Sequence, residues 1–172
     1  MVCLLSLINL KIAHALVFDD AQVGFSQLLK KTKLAAYVQV RNRRTHLSLD
    51  GHRILTEIEC EILQDDQMHR VGDLISIIIP GGFFKNYGQI VHGLVSLYPE
   101  ERVALLLHES SYQQGAFSIV AANAGLFFVD SEEHLIPAHS AVNLAPDVAR
   151  IDSLPLPSNL HDFMVQAQGR NQ

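Results

Sequence analysis

The 172-residue chain contains no tryptophan, only two cysteines, and fewer bases than acids. Each shortage excludes something. Two cysteines, Cys3 and Cys60, form no C-x-x-C pair, so neither a disulfide framework nor a cysteine-based zinc site is written here. Thirteen Lys and Arg stand against eighteen Asp and Glu, a formal net charge of −5. That balance argues against a dedicated nucleic-acid binder, though a local basic patch remains compatible with it. Apart from the first residues, no stretch approaches the roughly 18 apolar residues of a membrane-spanning helix. Nothing matches H-E-x-x-H, G-x-S-x-G, S-x-x-K or a P-loop, so no familiar hydrolytic or phosphate-cradling motif is present. There is no internal repeat.

What is there is a chain 48% hydrophobic, the length of one domain. Such a domain buries about 70% of its unfolded surface and folds without a metal. Residues 1–15 read MVCLLSLINLKIAHA. The apolar run from Leu4 to Ile12 ends in Ala13-His14-Ala15, a small-residue cleavage pattern. We therefore expect a signal peptide over 1–15, a mature chain starting at Leu16, and a periplasmic or secreted location. Removal of Cys3 leaves Cys60 alone. It lies on the apolar phase of an alternating run between Glu59 and Glu61, the setting of a buried inert thiol rather than a nucleophile.

Residues 16–33 predict one short amphipathic helix, with Phe25, Leu28 and Leu29 on one side and Lys30, Lys31 and Lys33 at its back. From Leu34 the period becomes two. Ala36, Val38 and Val40 alternate with polar neighbours, and Thr45, Leu47 and Leu49 lead to a turn at Asp50-Gly51. Beyond it, Ile54, Thr56, Ile58, Cys60 and Ile62 share one face while Glu57, Glu59 and Glu61 share the other, as in a sheet with one wet face. Leu74–Ile79 and Arg102–His108 read as buried strands. Phe117–Val120 and Leu126–Val129 read as a closing hairpin. Strands this close, with no helix between them, exclude parallel βαβ units. The fold class is mainly β: a small antiparallel, OB-like barrel over 34–130, closed because closure removes edges. Residues 131–172 read as an irregular, proline-containing tail, in which Ser158-Asn159 would cap a last short helix over 160–168.

Chemistry-bearing residues are sparse. His134 and His139 flank a proline loop near Glu132 and Glu133, but their spacing alone is no metal site. Asp73, His108 and Ser110 form one of many triples a barrel could assemble. We therefore expect no catalytic residue, metal or cofactor. Two other features stand out. Residues 28–53 hold Lys30, Lys31, Lys33, Arg41, Arg43, Arg44 and Arg53 against the single acid Asp50. The long connection Pro80–Tyr98 carries Phe83, Phe84 and Tyr87 among glycines, either displayed as interface anchors or folded back as a plug in the barrel mouth.

The chain from Leu28 to Asp130 resembles a group of exported bacterial β-domains with no assigned chemistry, some found in proteins that also carry a matrixin-type metalloprotease. The residues that carry the resemblance are Ile54-Leu55-Thr56, the β-rich strand ending in Pro80-Gly81-Gly82, Glu100–Leu107 and the closing segment Ile119–Val129. Glu101-Arg102 replaces that group's Gly-Glu, and Asn123-Ala124-Gly125 stands for its glycine turn. The resemblance implies a β-barrel and export, and no activity.

These readings converge on an exported, non-catalytic β-barrel module. It would bind a protein partner in the cell envelope, such as a secretion or pilus assembly, and would be capable of meeting an anionic surface. Phe83, Phe84 and Tyr87 are the expected anchors, and Arg41, Arg43 and Arg44 the expected electrostatic contribution. A hydrolase or protease-accessory domain with a loop-borne site is the alternative. An OB-like nucleic-acid binder is the third reading, and it requires that residues 1–15 stay attached.

Overall fold

The structure is a computed structural model that describes residues 24–66, 71–138 and 156–169. The expected signal segment and its cleavage pattern, His69 and His139 lie outside the described residues. The chain opens with helix α1 (Phe25–Lys31), then strands β1 (Leu34–Leu47), β2 (Ile54–Asp65) and β3 (Leu74–Pro80). A short hairpin of β4 (Gly82–Phe84) and β5 (Tyr87–Gln89) follows, then β6 (Arg102–Glu109) and β7 (Phe117–Ile119). A 3-10 turn (Ala122–Gly125) leads to β8 (Leu126–Val129), β9 (Leu135–Pro137) and helix α2 (Leu160–Gly169).

The barrel is closed and five-stranded, in the order β1-β2-β3-β7-β6 and back to β1. The expected OB-like barrel is therefore present. All its pairings are antiparallel except β3 with β7, which run parallel at Ile77 and Phe117. That single parallel contact lets the last barrel strand close the ring without a crossover helix. Inward residues from every strand, Val38, Val40, Ile58, Cys60, Ile62, Ile77, Val103, Leu105 and Leu107 among them, make one core.

Strand β1 changes face halfway along. Val40 pairs with Cys60, but Asn42 pairs with Glu59, so Arg41 is the extra residue of a β-bulge. After it, Arg43 and Thr45 lie opposite the inward Ile58 and Thr56, while Asn42 and Arg44 lie opposite Glu59 and Glu57. One inserted residue thus turns a run with even positions inside into a run with odd positions inside.

The expected closing hairpin is not formed. β7 and β8 do not pair with each other; both lie along the same edge of β6, at Leu107–Glu109 and Val103–Leu105 respectively. They are one strand interrupted by a large bulge over Val120–Gly125, where Ala121 and Ala122 take positive φ of 48° and 54°. The hairpin in this region is instead β8–β9.

The segment expected as a tail delivers part of a second core. On the outer face of β6 and β8, α1 and α2 pack over Ala35, Ala104, Leu106 and Phe127. Phe25, Phe127 and Phe163 meet there, with ring centroids 5.6 to 6.1 Å apart. Small residues at 35 and 104 let the helices approach the strands closely. As the sequence suggests, Asn159 caps α2: its Oδ1 accepts the Asp162 N–H at 2.9 Å, and its Nδ2 donates to Asp162 Oδ2 at 2.9 Å. β6 is thus buried on both faces, which is why Arg102–His108 reads as an unbroken apolar run rather than an alternation.

Candidate functional site

The long connection after β3 divides into two parts with different jobs. Its second part closes the barrel. Leu97 is fully buried in the barrel core and Val95 packs against it, so these aliphatics, and not the aromatics, plug the mouth. Asn123, inside the bulge, holds this segment by accepting the Val95 N–H at 2.9 Å and by donating to the Gly93 carbonyl.

The first part is the β4–β5 hairpin, pinned at its base. Gly81 and Gly82 have φ of 99° and 124°, a conformation open to glycine. A Cβ on Gly82 would lie 2.5 Å from Thr56 Oγ1, so no side chain fits between hairpin and barrel. Thr56 Oγ1 donates to the Gly81 carbonyl at 2.7 Å, the Gly81 N–H donates to the Ile54 carbonyl at 2.7 Å, and the Ile54 N–H donates to Gln89 Oε1 at 2.8 Å. The hairpin is therefore an ordered extension of the end where β1 finishes, β2 begins and β3 finishes.

Above that base the side chains turn outward. Phe83 is 75% exposed and Tyr87 73% exposed, while Phe84 is half-buried. Phe83 pairs with Gly88 and Phe84 with Tyr87, so Phe83 stands on one face of the ribbon and Phe84 and Tyr87 on the other. The Phe83 ring lies over Gly88, where a Cβ would come within 2.7 Å of it. Lys85, in the turn at φ 53°, places its Nζ 5.3 Å from the Phe84 ring centroid. Leu47 at the end of β1, Leu49 in the β1–β2 connection and Ile90 after β5 are also exposed, Leu49 fully. Sequence reasoning singled out the three aromatics but missed Leu49, Ile90 and Lys85. The signal was available: apolar residues in the loops flanking strands that already had full inward faces.

The three arginines do not join the aromatics. Arg41, on the bulge, binds Glu61 with Nη2–Oε2 at 2.6 Å and Nε–Oε2 at 2.7 Å. Arg44 donates from Nε to Glu57 Oε2 at 2.8 Å, and Glu57 Oε1 accepts from Ser76 Oγ. The ladder Arg44–Glu57–Ser76 crosses three strands. The Arg44 hydrogen bond holds the Glu57 carboxyl below its ordinary value against the opposing pull of burial, and the same contact raises the guanidinium. Arg43 stacks on Tyr98, 5.1 Å from the ring centroid. Arg41 and Arg44 are thus paired with Glu61 and Glu57 of the neighbouring strand. Glu57 is correspondingly buried rather than part of a wet face.

The remaining candidates are ordinary. Cys60 is buried, and its thiol is pushed up to about 12 by loss of solvent. His134 Nδ1 lies 3.2 Å from Asp130 Oδ2 within a turn. No group of three or more His, Cys, Asp or Glu among the described residues could hold a metal ion. His108 Nδ1 lies 2.8 Å from the Glu109 carbonyl and Ser110 Oγ bonds Ser118 Oγ at 3.1 Å, so neither is joined to Asp73. No helix among the described residues is long and apolar enough to cross a membrane. The chain matches no known family model, no curated protein and no solved structure.

Proposed function

We propose that this chain is an exported, non-catalytic β-barrel module that works by docking onto another component of the cell envelope through its β4–β5 end. One observation carries the reading: two aromatic side chains stand about three-quarters exposed on a hairpin whose base is fixed to the barrel. Large apolar side chains held rigidly in solvent lose little entropy on binding and supply the anchors of interfaces. The apolar run before Ala13-His14-Ala15 supports export. Against a nucleic-acid reading, the outer face of β2 presents Glu59 and Glu61 to any phosphate, and Arg41 and Arg44 are already paired with Glu61 and Glu57. Against a loop-borne hydrolase, His108 and Ser110 are engaged locally rather than with each other.

The test is co-sedimentation of the purified chain with isolated envelope fragments. The Phe83→Ser/Tyr87→Ser double variant should lose about tenfold in association, a combined loss of about 1.4 kcal/mol from the two anchors. Equal association of variant and parent would refute the docking reading.

A further inference from the structure

We infer that the component met by the β4–β5 end is a lipid surface, and specifically an anionic bilayer interface; this rests on the docking reading above. The first ground is shape. The exposed aromatics lie on both faces of the hairpin, Phe83 on one and Tyr87 on the other, with half-buried Phe84 beside Tyr87. A protein surface laid against the ribbon would cover one face and leave the other wet. A medium the hairpin tip enters covers both. Leu47 at the end of β1 and Leu49 in the loop after it lie at the same end, since Leu47 pairs with Ile54 and Leu55 with Pro80, the residue that leads into the hairpin. Two apolar loop tips side by side, rich in Phe, Tyr and Leu, suit the boundary between headgroups and acyl chains, where aromatic rings are favoured.

The second ground is charge. In a chain of net charge −5, this end carries Lys85 and Arg53. Asp50, in the neighbouring loop, is turned inward, accepting from Ser48 Oγ at 2.5 Å and from the His52 N–H at 3.0 Å. At the far ends of the same strands Asp65, Asp66 and Asp73 are matched by Lys30, Lys31 and Lys33 just before β1. Lys85 stands at the tip on a long apolar stem, the arrangement by which a lysine reaches a headgroup phosphate while its stem stays with the aromatics. The hairpin end thus presents Lys85 and Arg53 beside its exposed apolar side chains, a local balance that suits an anionic surface.

The absence of tryptophan supplies the experiment. A Phe83→Trp variant carries a single fluorescent reporter at the hairpin. With phosphatidylglycerol–phosphatidylcholine vesicles its emission should shift to the blue and be quenched by acyl-chain-bound quenchers. In sedimentation with the same vesicles, Phe83→Ser/Tyr87→Ser should weaken binding about tenfold, and Lys85→Glu/Arg53→Glu should remove most of the preference over phosphatidylcholine alone, as about 1 kcal/mol per basic residue near the surface predicts. Because every variant keeps the N-terminal apolar run, binding carried by that run would leave the variants equal to the parent and overturn the inference. So would an unshifted emission. Loss of envelope association in the aromatic variant without any vesicle binding by the parent would overturn the lipid assignment while sparing the docking reading, and would point to a protein partner. Failure of both measurements removes both.

Discussion

Two short hairpins decorate this barrel, and they are nearly the same size. β8–β9 and β4–β5 each have strands of three or four residues, and each carries adjacent phenylalanines. In β8–β9, Phe127 is fully buried under α1 and α2, and the outer strand is covered by the chain before α2, whose Ser158 carbonyl accepts the Leu135 N–H at 2.9 Å. In β4–β5 the same residue type faces water, and no helix among the described residues packs over it. An isolated two-stranded hairpin is marginal in water. One hairpin escapes this by being covered, the other by being pinned to a barrel at its base. The first is spent on stability, and the second is left available.

The comparison can be broken at four points. Phe127→Ala should cost the most, about 3–5 kcal/mol in urea denaturation, because it opens a void among three rings. A loss below 1 kcal/mol would show that the helical layer is not a true core. Gly82→Ala should cost about 1–3 kcal/mol through strain at positive φ and the collision with Thr56. It should also loosen the hairpin, seen as faster amide exchange at Gly88 while barrel amides hold. Glu57→Gln should cost about 1 kcal/mol at neutral pH, since Arg44 is well exposed. The Glu57 carboxyl is held below its ordinary value of 4.5, so its contribution is present above that pH and is lost as pH falls through the lower folded value. The variant should therefore show a smaller loss of stability between pH 5 and acid than the parent does, by about this same amount. Smallest of all, Phe83→Ser/Tyr87→Ser should change stability by only about 0.5 kcal/mol. A drop comparable to Phe127→Ala would make the two hairpins alike and remove the basis for a docking role.

How much of this was legible depends on what a residue's neighbours along the chain can reveal. The barrel was legible, because inward residues of each strand recur at period two. The bulge at Arg41 was not, because Leu47 and Leu49, which continue the alternation on paper, are exposed in the structure, and only the register with β2 shows the inserted residue. The capped last helix was legible from Ser158-Asn159. The β7–β8 relation was not. Ala121–Gly125 has the composition of a turn, and only the pairing of both flanking strands to one edge of β6 shows a bulge. Nor was β4–β5, whose turn, Lys85-Asn86, lacks glycine. Nor were the arginines' partners, Glu57 and Glu61, since they belong to the next strand and a charge count over a sequence window cannot see across a sheet.

The strand β6 has a consequence that precedes the finished molecule. It pairs with β7 about ten residues on, but its other edge pairs with β1, some seventy residues away, so that edge has no partner until a long-range contact forms. Before then, Val103–Leu107 is an uncharged, apolar, β-competent stretch of the type that stacks between chains. The sequence brackets it with Glu100, Glu101 and Arg102 in front and Glu109 behind. In the folded barrel these charges make exposed contacts, Glu100 with Gln39 and Glu101 with the Tyr98 N–H. While the chain is still unfolded, in a cytoplasm or on the far side of a membrane, they are what keeps one copy of this strand from finding another.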